Sequence, residues 1–325
     1  MAQNSLFDAG AIVGVVNASI RGAVPIMLGA MSGIVSERTG IVNIGIEGMM
    51  LVGAFAAFIA NVYLSKPGVP ALLQADPVRI PLCILVAMLV GALLAEFHAI
   101  LSIRYKVDQI ISGTVINIFA GGITSFLYIG GQVTLPIPFL VTNPFNKDAG
   151  FLFSIGDIVF NKGIITYATF IIVFLLGFAL YKTTWGLRTR SVGENPRAAD
   201  TLGINVHRLQ YTNLFLSGML AGLAGAALTI EGGVSFERGM TNGRGFLALA
   251  VMIFGMWRPS RAMFGALMFG FAVALQGFLQ QQGFGSIIPY QFIGMLPYLL
   301  TLVVLAGFVG RARPPAHVGQ AYEVE

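Results

Sequence analysis

Long apolar runs, each about the length that crosses a bilayer, constrain this chain more than any other feature. They fall at residues 11–35, 41–63, 81–101, 109–130, 163–181, 211–231, 262–281 and 289–309, with polar or Pro/Gly-rich breaks between them. A spanning helix needs about 20 predominantly apolar residues. Lipid offers the backbone no hydrogen-bond partner, so only helices and closed barrels can cross it. These continuous runs lack the alternation of barrel strands. A ninth stretch, 244–257, is apolar but short, which suits a tilted span or a broken or re-entrant segment. The expected fold is all-α: a polytopic transmembrane bundle of about nine spans, one permease-like domain over 1–325.

Composition supports a lipid-facing surface. Only 10% of the residues are charged, 56% are hydrophobic, and the mean hydropathy is +0.81. A soluble domain carries roughly 25% charged residues, too many more for this chain to be water-covered. The single cysteine, Cys83, excludes an internal disulfide and any cysteine-based metal cluster. His98, His207 and His317 are far apart, so no metal is expected. The net charge of +5 resides in short loops between apolar runs, the pattern of a membrane protein and not of a nucleic-acid binder. No Lys or Arg precedes Arg21 and no cleavage-type region follows, so no removable signal peptide is expected.

Charge in the loops sets the expected orientation, because Lys and Arg concentrate on the cytoplasmic side. If 244–257 crosses, twelve of the 19 Lys and Arg residues fall on one side and six on the other, with Arg21 inside a span. The first side is then cytoplasmic. The N-terminus lies outside, 131–162 forms an external loop, and the tail at 311–325 is cytoplasmic.

One cytoplasmic loop, 182–210, is much longer than the rest and carries a complete short-helix signature. Asn195 suits an N-cap, Pro196 the first helical position, and Gly203 a left-handed close. Ala198, Ala199 and Leu202 form a small apolar face. A helix this short is unstable alone in water, so something must hold it. It either packs on its own bundle or docks a soluble partner, and composition leaves both open.

Three stretches carry a family resemblance. Loop residues 186–206 (GLRTRSVGENPRAADTLGINV) resemble the cytoplasmic coupling loop of permeases from ABC importers of the branched-chain amino acid and ribose superfamily. Residues 37–57 (ERTGIVNIGIEGMMLVGAFAA) resemble the second-span motif of that superfamily, and "NIGIEG" is similar to its nucleoside and simple-sugar branch. Residues 243–270 match that branch too, although Phe254-Gly255-Met256-Trp257 stands where those permeases often carry Gly-Gly. The tail from Pro314-Pro315 to Tyr322 is a further echo.

The resemblance implies an inner-membrane subunit of a bacterial importer that translocates nucleosides or related sugars by alternating access. It implies a second permease, a cytoplasmic ATP-binding subunit and an external solute-binding lipoprotein as partners, with membrane lipid around them. It places ATPase coupling on Glu194, Asn195, Pro196, Arg197, Ala198, Ala199 and Gly203. The chain itself contains no Gly-Lys dipeptide, hence no phosphate-binding loop of the Walker type. No cofactor is therefore expected here; ATP would bind a partner. The superfamily's two related halves also imply an inverted repeat, with the glycine-bearing segments near 40–53 and 243–257 in corresponding positions.

Ionisable groups inside spans default to functional candidates. Glu47 stands four residues after Asn43, so both are expected on one face of the second span. With Asn117 on the fourth span they form the candidate translocation path, or else a structural hydrogen-bond or ion-pair set with Arg21 as its candidate cation. Glu96 and His98 are expected at the interface, Trp257 as an interfacial anchor, and Gly218, Gly222 and Gly225 as a close-packing stripe. A branched-chain amino acid permease and a gradient-driven symporter using Glu47 are the alternative transporters. An enzyme is disfavoured, for no nucleophile–base cluster, metal motif or paired carboxylates stand out.

Overall fold

A computed structural model describes residues 9–128, 143–145, 151–233, 235–283, 289–296, 299, 303 and 313–323. Among these, every regular element is helical: α1 (Ala9–Glu37), α2 (Ile46–Leu64), α3 (Ala71–Gln74), α4 (Asp76–Ala99), α5 (Gln109–Leu127), α6 (Phe151–Val159), α7 (Ile164–Lys182), α8 (Thr184–Glu194), α9 (Pro196–Thr201), α10 (Val206–Ala226), α11 (Arg244–Phe254), α12 (Pro259–Gln281) and α13 (Tyr290–Gly294). π-helical turns extend α4 through Ile100–Arg104 and α10 through Ala227–Gly233. Seven helices are long and apolar enough to cross a membrane: α1, α2, α4, α5, α7, α10 and α12. They match seven of the eight expected long runs; most of the eighth, 289–309, lies outside the described residues.

The bundle is built around α1 and α10. Helix α10 packs along α4, α2 and α1, while α1 also lies against α12 and α11. Lipid supplies no hydrophobic drive between helices, so close association depends on small residues that let backbones meet. The expected glycine stripe does this. A Cβ on Gly222 would stand 2.2 Å from the Ala87 carbonyl oxygen, and one on Gly225 only 2.0 Å from that of Met50. On the outer helices large apolar side chains such as Ile118, Phe126 and Phe174 point away from the bundle.

Two expectations about span boundaries are corrected. The run 41–63 is not helical throughout: residues 38–45 form turns and open backbone, and α2 begins only at Ile46. Asn43 and Glu47 therefore do not share a helix face. Second, 184–194 is a helix in its own right, so loop 182–210 holds two helices and not one. The stretch 244–257 is a short helix with irregular backbone on both sides. Helix α11 has 11 residues, about 16 Å long and half of a ~30 Å hydrocarbon core. It is preceded by non-helical residues 235–243 and followed by a tight turn in which Met256 and Trp257 both take φ of 53°.

Candidate functional site

A chain that leaves the helix where it is buried must find partners for its freed amides and carbonyls. Around residues 38–45 these come from side chains of α4, α5 and α10. Gln109 accepts from the Val42 amide (2.6 Å), and the His98 ring meets the Val42 carbonyl and the Ser112 hydroxyl (both 2.9 Å). Asn117 accepts from the Gly48 amide (2.7 Å) and donates to the Ile44 carbonyl (3.0 Å). Gln210 donates to the Thr39 carbonyl. His98 is fully buried in this set, its ring consumed in splinting the break. Asn43 is buried as well; its amide donates to the Ser217 hydroxyl (3.2 Å).

The same segment clamps α11 at both ends. Glu47 accepts from the Gly243 amide (2.8 Å) and the Gly245 amide (2.6 Å), which caps the helix N-terminus with a carboxylate. Arg38 donates to the Trp257 carbonyl (3.1 Å) and lies near that of Met256, at the C-terminal end. Both charges complement the helix dipole. Glu37 accepts from the Trp257 indole (2.7 Å), so Trp257 is a buried bracket and not an interfacial anchor. The two glycine-bearing segments of opposite halves thus meet directly. A second carboxylate does similar work on α7: Glu231 accepts from the Ile165 and Thr166 amides and the Thr166 hydroxyl.

Between these two capped helices lies a cavity of about 790 Å³. Its walls are the first half of α1 (Ala18, Arg21, Gly22), the end of α10 (Leu228, Glu231), Thr166 of α7, and the non-helical entry to α11 (Glu237, Arg238, Asn242) with Arg244. Loop 182–210 joins the opposite ends of α7 and α10, so the cavity and the loop lie at opposite faces of the bundle. Arg21 faces the cavity, and among the described residues no carboxylate is within ion-pair distance of it; the expected intramembrane pair is absent. Close by, Lys162 is buried, donates to Asn17 (2.5 Å), and is held below the usual lysine range by that burial. Asn43, Glu47 and Asn117 do not line the cavity. Glu47 stands behind it, holding the turn from which Asn242 and Arg244 project. Sequence reading missed Glu231, Arg238 and Asn242; Glu231, an acid at the end of an apolar run, was the available signal.

The short helix in the loop forms as its signature predicts. The Asn195 side chain accepts from the Ala198 amide (3.0 Å), Pro196 opens α9, and Gly203 closes it at φ +79°. Pro196 and Ala199 are buried against the bundle side. Arg197 and Ala198 are exposed and Leu202 is 82% exposed, so the expected apolar face is split: Ala199 packs inward and Leu202 projects out. Glu194, also exposed, accepts from the Ala316 amide (3.2 Å).

The chain is similar to known permeases over nearly its whole length. It is 39% identical over 316 residues to the guanosine ABC transporter permease protein NupQ of Bacillus subtilis, covering 95% of this chain and 96% of that one. It is 37% identical to the nucleoside ABC transporter permease protein NupC of Lactococcus lactis, covering 92% and 93%. It is 31% identical to the putative glucose ABC transporter permease protein TsgC13 of Haloferax volcanii, covering 96% and 98%. No solved structure matches it. The family described as branched-chain amino acid transport system / permease component matches residues 15–305, and this multi-pass membrane chain belongs to it.

Proposed function

We propose that this permease carries nucleosides, that the 790 Å³ cavity is the outer part of the solute path, and that α8 and α9 receive the push of an ATP-binding subunit. The observation that carries the reading is the cavity's lining together with its place. A polar solute in a bilayer needs hydrogen-bonding groups at membrane depth, and these are costly to keep there unless used. Arg21, Glu231, Arg238, Asn242 and Arg244 supply donors and acceptors of both signs in a space of the size that small-molecule sites occupy. The two most similar relatives named above support the nucleoside. The glucose permease relative supports a second reading, a simple sugar.

In this reading the N-terminus and the cavity are external, and α8, α9 and the tail are cytoplasmic. Energy would come from a separate ATP-binding chain, with a second permease and an external binding protein completing the importer. Exposed Leu202, Arg197 and Ala198 suit a contact for that ATP-binding chain. From there a packed route leads inward. Gly193 of α8 is so close to residue 38 that a Cβ would stand 2.3 Å from its carbonyl oxygen. Arg38 holds the C-terminal end of α11, and the N-terminal end of α11 carries Arg244 and follows Asn242 in the cavity wall. Such a rigid helix with both ends held is an element that two distant sites can bias together. The test is radiolabelled nucleoside uptake in cells with and without the chain, with ribose and leucine as competitors. Uptake that depends on the chain and is competed by nucleosides alone is expected. Chain-dependent uptake of ribose or leucine instead would keep the permease and discard the nucleoside.

A further inference from the structure

The C-terminal tail, residues 313–323, lies beyond the residues that the family matches, yet it is held at five separate places. The His317 amide donates to the Gly193 carbonyl (2.9 Å) and the Ala316 amide to Glu194 (3.2 Å), which fixes the tail to α8. The Gly319 amide donates to the Gly40 carbonyl (2.9 Å), which fixes it to the break between α1 and α2. The Tyr322 hydroxyl donates to Asp200 of α9 (2.9 Å), and its ring lies 5.5 Å from that of His207 at the start of α10. Glu323 pairs with Lys106, in the turn between α4 and α5.

One of these contacts, from Gly319 to Gly40, depends at both ends on backbone that only glycine adopts easily. Gly40 has φ of +91°, and a Cβ there would stand 3.3 Å from the His317 carbonyl oxygen; Gly319 has φ of +79°. Pro315 and Tyr322 are buried although the residues around them are exposed. A chain end that served only solubility would need no such fit. Ordering a chain costs backbone entropy at every residue, so the contacts must offset roughly ten residues of ordering.

We infer that the tail is a strap that positions α8 and α9 against the break at residues 38–45, so that displacement of the coupling helices reaches α11 instead of being lost in the loop. This rests on the coupling role proposed above for α8 and α9. Gly193 touches residue 38 directly, and the strap bonds the same two places, Gly193 and Gly40, to one another through His317 and Gly319. The strap adds a hydrogen-bonded link between α8 and the break to the direct approach at Gly193. Tyr322 and Asp200 add the far end of the short helix, so α8 and α9 move together.

The test uses the assembled complex of this chain with its partner permease, ATP-binding subunit and binding protein, with the chain ended after Arg313. The readout is ATP hydrolysis with and without solute-loaded binding protein. The strap predicts near-normal basal hydrolysis with stimulation reduced about tenfold, within the usual span of coupling between sites. Full stimulation in the shortened complex would overturn it. If the shortened chain fails to assemble, Tyr322→Ala and Tyr322→Phe in the full chain decide the matter. The first should uncouple hydrolysis from loaded binding protein, and the second, which keeps the ring beside His207 but loses the bond to Asp200, should fall between it and the wild type; wild-type stimulation with Tyr322→Ala would overturn the strap. The ratio is read with whatever solute the wild type carries, so failure of the nucleoside assignment is a separate result.

Discussion

At the residue scale, Glu47 shows how a costly intramembrane charge is made tolerable. Its two oxygens take two backbone amides at the start of α11, and a carboxylate accepting such bonds is stabilised more than a neutral acceptor would be. Glu47→Gln turns one acceptor into a donor facing an N–H group, leaving an amide unpaired at a cost of about 1–3 kcal/mol. We expect the detergent-solubilised variant to melt several degrees lower and to transport more slowly; an unchanged melting temperature would remove Glu47 from this role. Asn117→Ala strands the Gly48 amide and the Ile44 carbonyl together, so a loss of about 2–4 kcal/mol is expected on the same scale. That loss should appear in thermal unfolding even where residual uptake is measurable.

At the element scale, the spans were legible because lipid demands unbroken apolar length, and α9 was legible because Asn195, Pro196 and Gly203 each carry a specific backbone preference. The break before α2 was not. Residues 39–45 are mostly apolar or small, so hydropathy runs straight through them, while the groups that satisfy the break lie on α4, α5 and α10. Helix α8 was missed for the converse reason: its polar sequence has no span-like signal, and it is set by packing on α7 and by the Thr183 cap. Glycines divide along the same line. A Cβ on Gly225 would meet backbone at 2.0 Å, whereas nothing lies within 4 Å of a Cβ on Gly121. Gly225→Ala should sharply reduce the yield of monodisperse protein and Gly121→Ala should not, as gel filtration after solubilisation would show.

At the scale of the whole molecule, two carboxylates, Glu47 and Glu231, each cap a helix that borders one cavity, and the cavity sits at the face opposite α8 and α9. None of this geometry was readable from one segment alone, since Arg21, Glu231 and Arg244 come together from three different helices. Asn43 and Asn117 do not line this cavity: Asn43 bonds the Ser217 hydroxyl, and Asn117 holds the backbone at Ile44 and Gly48. The packed route from Gly193 through residue 38 and α11 joins the two faces. Arg244→Gln keeps a hydrogen-bonding side chain in the cavity and removes its charge; the account expects it to lower uptake with assembly intact, read as transport per copy of complex in vesicles.

The most direct measurement places a single reactive thiol in the cavity wall with Ser235→Cys, the native Cys83 being buried. Intact cells are then exposed to a membrane-impermeant maleimide, with and without saturating nucleoside. The account predicts labelling from outside the cell, slowed when nucleoside is being transported. Labelling only after the membrane is opened, or at a rate that nucleoside leaves unchanged, would contradict it.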